Sequence, residues 1–124
     1  MRLNMKKKSK DKLPQLSEKM FMSRVVAGAR ALGFLVYHTY DSRRSAKGFP
    51  DLVMCHPKTG ELLFIELKTD TGKVSAEQQI WLDALTNCKY WQGSKALMSC
   101  NFHPMVLRPA RWDDFWEMLK GLAK

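Results

Sequence analysis

Residues 61–68, ELLFIELK, decide how this 124-residue chain folds. Side chains alternate across a strand. Leu62, Phe64, Glu66 and Lys68 therefore share one face, and Leu63, Ile65 and Leu67 the other. Both faces begin apolar, the pattern of a central strand covered on both sides. At its end one face turns acidic and then basic, while Leu67 keeps the other apolar. Charges in such a place are costly unless paired or liganded. One reading is a Glu66–Lys68 ion pair at a fraying strand end; the other is a functional site.

The flanking sequence bears on that choice. PKTG (57–60) has turn chemistry and DLVMCH (51–56) reads as a strand, so 51–68 forms a hairpin. That hairpin brings Asp51 close to Glu66 and Lys68. Two carboxylates held together repel, and one takes up a proton unless a cation lies between them. A few hard oxygen donors with water in the remaining positions describe Mg²⁺ or Mn²⁺. The Leu67 carbonyl is a further oxygen. Lys68 would face the same site without binding the ion, placed to stabilise charge developing on a phosphorane or to lower the pKa of an attacking water.

Further out, Ser17 caps a helix over about 17–32, with Phe21, Met22, Val25, Val26, Ala29 and Leu32 at helical spacing and Gly33 as its stop. FLVYHTY (34–40) reads as a strand and DSRRSAKGFP (41–50) as a polar loop. TDTGKV (69–74) is a loop before a second helix to about 87, with Trp81, Ala84, Leu85 and Cys88 on one face. SKALMSC (94–100) is a fourth strand, PMVLRP (104–109) a short optional fifth, and 111–122 a last helix with Trp112, Phe115, Trp116 and Leu119 facing in. The order α-β-β-β-α-β-(β)-α places the chain in the α/β class, a mixed sheet flanked by helices.

Two polar residues carry alternative readings. Glu18 shares a stripe with Met22, Val25, Ala29 and Leu32. It is either a first-turn acid favoured by the helix dipole or an extension of the carboxylate cluster through water or a second ion. Gln78 closes the capping box SAEQ (75–78) or faces the carboxylates.

The net charge is +9, with six Lys/Arg against one acid in residues 1–12. Over half the excess is thus a tail, taken as 1–14, ahead of a single domain over 15–124. A basic tail suits phosphate backbones or an anionic surface. No apolar run approaches the roughly 20 residues of a membrane span, and no secretory signal is visible. Cys55, Cys88 and Cys100 lack metal spacing and read as reduced small residues in a cytosolic protein.

In order, GFPD (48–51), ELK (66–68) and EQQIW (77–81) resemble the PD-(D/E)XK nuclease superfamily. Within it, the chain is similar to the VRR-NUC family, whose pattern is an early helical Glu, then G-x-P-D-L, E-L/V-K and S-x-x-Q. Glu18, Gly48, Pro50, Asp51, Leu52, Glu66, Leu67, Lys68, Ser75, Gln78 and, as the apolar residue or Trp that follows, Trp81 match it. The resemblance implies a restriction-endonuclease-like αβββαβ core with an extra C-terminal helix, and phosphodiester hydrolysis dependent on Mg²⁺ or Mn²⁺. Asp51, Glu66 and the Leu67 carbonyl would bind the metal, Lys68 would serve catalysis, and Glu18 and Gln78 would complete the site. Arg43, Arg44, Lys47 and Lys73, with Lys6, Lys7 and Lys8 of the tail, would hold phosphate. The implied partner is DNA, branched or duplex, cut by a homodimer of the stand-alone phage or prophage type in a bacterial cytoplasm. The competing reading is a basic DNA-binding module that keeps the fold without chemistry.

Deletion of residues 1–12 should weaken binding to all DNAs by a similar factor, because phosphate contacts carry no sequence information. The slope of log K against log salt should flatten by about 0.9 for each phosphate that the tail no longer neutralises. A change in which DNA structure is cut would show the tail to be a recognition element instead.

Overall fold

A computed structural model describes residues 16–39, 42–92, 96–99 and 102–124. The tail with Lys6, Lys7 and Lys8, and Cys100, lie outside the described residues. The first helix, α1, runs Glu18–Ala31, and the Ser17 hydroxyl accepts from the Met20 N–H at 3.1 Å as its N-cap. Phe21, Val25 and Ala29, one helical turn apart, are its buried face. Gly33 ends it in the left-handed region (φ +94°), and a Cβ there would lie 3.0 Å from His56 Nε2. His56 is buried. Its Nε2 donates to the Leu32 carbonyl at 2.9 Å, while Nδ1 accepts from the Lys58 and Thr59 N–H groups at 3.2 and 3.3 Å. That pattern assigns a neutral ring protonated on Nε2, bolting the end of α1 to a turn of the sheet.

Strands β1 (Leu35–His38), β2 (Leu52–Cys55) and β3 (Leu62–Leu67) form an antiparallel meander. The next helix, α2, spans Ala76–Thr86; β4 (Lys89–Gln92) and β5 (Ala96–Ser99) pair as a separate two-stranded sheet. Strand β6 (Phe102–Leu107) then lies parallel to β3, giving the main sheet the order β1-β2-β3-β6. A 3₁₀ turn at Pro109–Arg111 leads into α3, Trp112–Leu122. No described helix is long and apolar enough to cross a membrane.

The two faces of β3 bury different things. Leu63, Ile65 and Leu67 join Leu52 and Met54 of β2, Leu107 of β6, the α1 stripe, and Phe115 and Leu119 of α3 in the main core. On the opposite face Phe64 meets Phe49 and Phe102 edge-on, with ring centroids 6.3 and 5.4 Å apart. Residues 63–67 are all buried, as a central strand with two covered faces requires.

The structure corrects the sequence reading in three places. Ala96–Ser99, expected as the fourth strand of the main sheet, pairs instead with Lys89–Gln92, a segment expected to be a connection. The main sheet is completed by Phe102–Leu107, read only as an optional short strand from 104. Pro104 weakens that run's strand signal because it has no N–H to give a ladder; it is tolerated here because β6 is an edge strand. The buried residues of α2 are Leu82 and Leu85, whereas Ala84 is exposed and Trp81 and Cys88 are half-buried. The inward stripe is thus Gln78, Leu82 and Leu85, and a polar residue at its head hid its phase.

Leu63→Ala should cost about 2–5 kcal/mol in urea denaturation, because a fully buried leucine leaves a cavity. Leu35→Ala, at a position 62 % exposed, should change stability by no more than about 0.5 kcal/mol. Similar losses at both positions would contradict this assignment of the core.

Candidate active site

Asp51 ends the connection into β2, one residue ahead of the Leu52–Ile65 pair. It therefore comes level with Glu66 on the neighbouring strand. Its Oδ2 accepts the Leu67 N–H at 2.8 Å, so the backbone of one strand orients the carboxylate of the other. Glu66 is only 2 % exposed. Its Oε2 accepts from Gln78 Nε2 at 2.8 Å and lies 3.8 Å from Lys68 Nζ. Its Oε1 is buried with no hydrogen-bond partner.

Gln78 does both things the sequence allowed. Its Oε1 accepts the Ser75 N–H at 2.8 Å while the Ser75 hydroxyl accepts the Gln78 N–H at 3.1 Å, a complete capping box. The other end of the same amide reaches Glu66. Capping therefore orients the amide so that its NH₂ faces the carboxylate, and the start of α2 is locked to the site by one side chain.

The connection from β1 to β2 is delivered by GFP (48–50). Gly48 has φ +88°, and a Cβ there would fall 2.5 Å from the Glu77 carbonyl carbon, closer than real Cβ atoms come. Only glycine lets this backbone lie against the first turn of α2. Phe49 packs edge-on against Trp81 at 4.9 Å, and Trp81 Nε1 donates to the Lys47 carbonyl at 3.1 Å. Pro50 is fully buried. Trp81, read from the sequence as a core residue, thus also clamps the loop that carries Asp51; an indole three residues after Gln78 was the available signal.

These elements enclose a cleft of about 570 Å³. Glu18, Asp51, Glu66, Lys68 and Gln78 all line it, as do Arg43 and Lys47 from the loop. Arg44 and Lys73 are exposed and do not line it. Thr39 and Ser45 line it too; neither was singled out in the sequence, since short hydroxyl side chains in a loop carry no distinctive pattern. Glu18 is exposed at the rim. Among the described residues, no three His, Cys, Asp or Glu side chains are close enough to form a metal group by themselves, so Glu18 does not join Asp51 and Glu66 directly.

Burial, first, pushes the Glu66 carboxyl up to about 8. The Asp51 charge adds to it and Lys68 opposes it; the bond to Asp51 that only a protonated Glu66 can donate raises it further, as does the Glu18 charge, whereas the ionised pair leaves Oε1 without a partner. The donor set suits a divalent cation. Two carboxylates lie side by side, and one buried carboxylate oxygen lacks a partner. Such an orphan costs roughly 1–3 kcal/mol, more when charged, and a hard cation would satisfy it.

A mixed sheet with an acid-bearing hairpin, a helix before it and a helix locked across it is the restriction-endonuclease-like αβββαβ arrangement. The sequence profile of the VRR-NUC domain matches residues 5–97, and the chain belongs to that family of nuclease domains. The Fanconi-associated nuclease 1 homolog of Schizosaccharomyces pombe is 34 % identical over 47 residues, 38 % of this chain and 7 % of that protein. The chain thus matches only a small part of that relative's length. No solved structure gives a match.

The raised Glu66 pKa makes stability depend on pH. Between 4.5 and about 8 the folded state holds a proton that the unfolded state has released, so stability is highest below 4.5 and falls as pH rises to about 8. With metal chelated, the stability of Glu66→Gln relative to wild type should therefore grow across that window in urea denaturation. A constant difference would contradict the burial of this charge.

Proposed function

We propose that this domain is a divalent-metal-dependent DNA endonuclease. The observation that carries this reading is the buried Glu66 carboxylate, with one oxygen unpartnered, beside Asp51 and Lys68 in a cleft edged by Arg43 and Lys47. A domain that only bound DNA would gain from replacing this acid, because a buried charge without full satisfaction destabilises the fold and acids beside a phosphate repel it.

Asp51, Glu66 and the Leu67 carbonyl would hold Mg²⁺ or Mn²⁺, with Glu18 reaching the site through water or a second ion. When bound, the ion supplies Lewis-acid polarisation of the scissile phosphate and makes water a better nucleophile. Arg43 and Lys47 hold the phosphate backbone in the cleft; Arg44, Lys73 and the tail lysines extend that surface. Lys68 Nζ shares the cleft with both acids, where it stabilises negative charge growing on the phosphate as water attacks. Gln78 holds the Glu66 carboxyl in place by donating to Oε2 at 2.8 Å. The family resemblance extends the reading to branched or junction DNA as substrate, a homodimer as the working unit, and a phage or prophage protein acting in the bacterial cytoplasm.

Lys68→Ala should fold, bind DNA nearly as well as wild type, and cut at least about a hundredfold more slowly. Lys68→Arg should also fail, since a planar guanidinium does not replace a compact ammonium. Asp51→Asn and Glu66→Gln should abolish cleavage while keeping the fold. The measurement is cleavage of labelled linear and branched DNAs with Mg²⁺ or Mn²⁺. Cleavage persisting in EDTA would overturn the metal reading. Near-normal cleavage by Lys68→Ala would reduce the Glu66–Lys68 contact to an ion pair at a strand end with no part in the reaction.

A further inference from the structure

The turn that follows Lys68 is tied to the end of β6 by groups that the proposed chemistry does not use. The Lys68 N–H donates to the Leu107 carbonyl at 3.0 Å, continuing the ladder past the strand end. Arg108 Nη1 then donates to two carbonyls of the next turn, Thr69 and Gly72, at 2.7 Å each. The Ala110 N–H donates to Asp70 Oδ1 at 2.9 Å, and the Gly72 N–H closes the turn on the Thr69 carbonyl at 3.3 Å.

This turn lies beside the Lys68 side chain. A Cβ on Gly72 would sit 3.5 Å from Lys68 Cδ and 3.0 Å from Thr69 Oγ1, so the turn passes beside the lysine stem with room for little more than glycine. Ser75 follows three residues later and caps α2, whose Gln78 holds Glu66 Oε2. One short segment therefore joins the two groups that converge on that oxygen, Lys68 at 3.8 Å and Gln78 at 2.8 Å. Catalytic groups must be held to about 0.5 Å, and a 1 Å misplacement can lower rate about a hundredfold. A guanidinium bonded to both carbonyls fixes the turn more firmly than its own single N–H···O contact.

We propose that Arg108 is a positioning residue: its guanidinium clamps the 69–72 turn and through it holds Lys68 over Glu66. Asp70 is the second tie of the same clamp. This assignment rests on the nuclease reading, because it presumes that Lys68 serves the reaction. Arg108 is spent on protein carbonyls through Nη1, so its removal should alter how the site is set and leave the hold on substrate intact.

The test uses the full chain with Mn²⁺ or Mg²⁺ on labelled linear and branched DNAs, with kcat and KM separated. Arg108→Ala should lower kcat at least tenfold with KM within twofold of wild type. Amides of the 69–75 segment should exchange faster, while β3 keeps its protection. In a Lys68→Ala background the same change should cost less than threefold, because groups acting as one unit are not additive. Asp70→Ala, which removes only the bond from the Ala110 N–H, should show the same signature more weakly, and it carries the kinetic test if Arg108→Ala fails to fold. A rise in KM with kcat preserved would make Arg108 a phosphate contact and overturn the proposal. A full additional loss on top of Lys68→Ala would overturn it as well. If wild type cuts and Arg108→Ala cuts equally well, only this assignment falls; if wild type cuts none of the DNAs, the nuclease reading falls and takes it along.

Discussion

Glu66 is a carboxylate held inside a strand that both sides of the protein cover, and much of the surrounding structure can be understood as the consequence of placing it there. Ionising a group so buried needs compensation, and without it the carboxyl keeps its proton up to about 8. The protein supplies it to one oxygen only, through the Gln78 amide and the more distant Lys68 ammonium. The second oxygen is left unmatched next to another carboxylate. A fold selected for stability alone would remove that acid, or complete its hydrogen bonds. Keeping it half-satisfied is a strain stored at one spot, of the kind that binding of a cation relieves.

The burden of holding this arrangement falls on the N-terminus of α2. The same first turn completes a capping box, presents an amide to Glu66, and receives the backbone of the Asp51 loop at a distance only Gly48 permits. One turn later, Trp81 grips the Lys47 carbonyl and packs on Phe49. Two acids, one on β3 and one just ahead of β2, are thus referred to a single helix end. The N-terminus of α2, the positive end of its dipole, lines the same cleft as both acids.

The acids and the basic groups work at different ranges. The cleft-edge cations Arg43 and Lys47 and the surplus of Lys and Arg over Asp and Glu attract a polyanion from a distance, in a salt-dependent way. Within the cleft the carboxylates repel that polyanion until a cation lies between. On the proposed reading, attraction at long range with repulsion at short range would make close approach of phosphate conditional on the ion, a selectivity that neither set of charges has alone.

Local order in the chain was enough to place α1, the 51–68 hairpin, α2 and α3, because apolar periodicity, Ser17 and Ser75 caps, Gly33 and the PKTG turn are read from near neighbours. The strand alternation of ELLFIELK by itself put Glu66 and Lys68 on one face, and the hairpin brought Asp51 to them. What the sequence left open were choices settled by residues distant along the chain. Pairing of Phe102–Leu107 with β3 depends on an edge position that excuses Pro104, and nothing local announces an edge. The phase of α2 depends on which surface it meets; Gln78, Leu82 and Leu85 face inward because a buried carboxylate waits at one end of that stripe. The choice between cap and site contact for Gln78 dissolved only in three dimensions, where an amide with two ends serves both. Short-range chemistry determined which elements form and which residues are unusual; the tertiary structure alone decided which of those residues meet, because burial and pairing are properties of surfaces brought together.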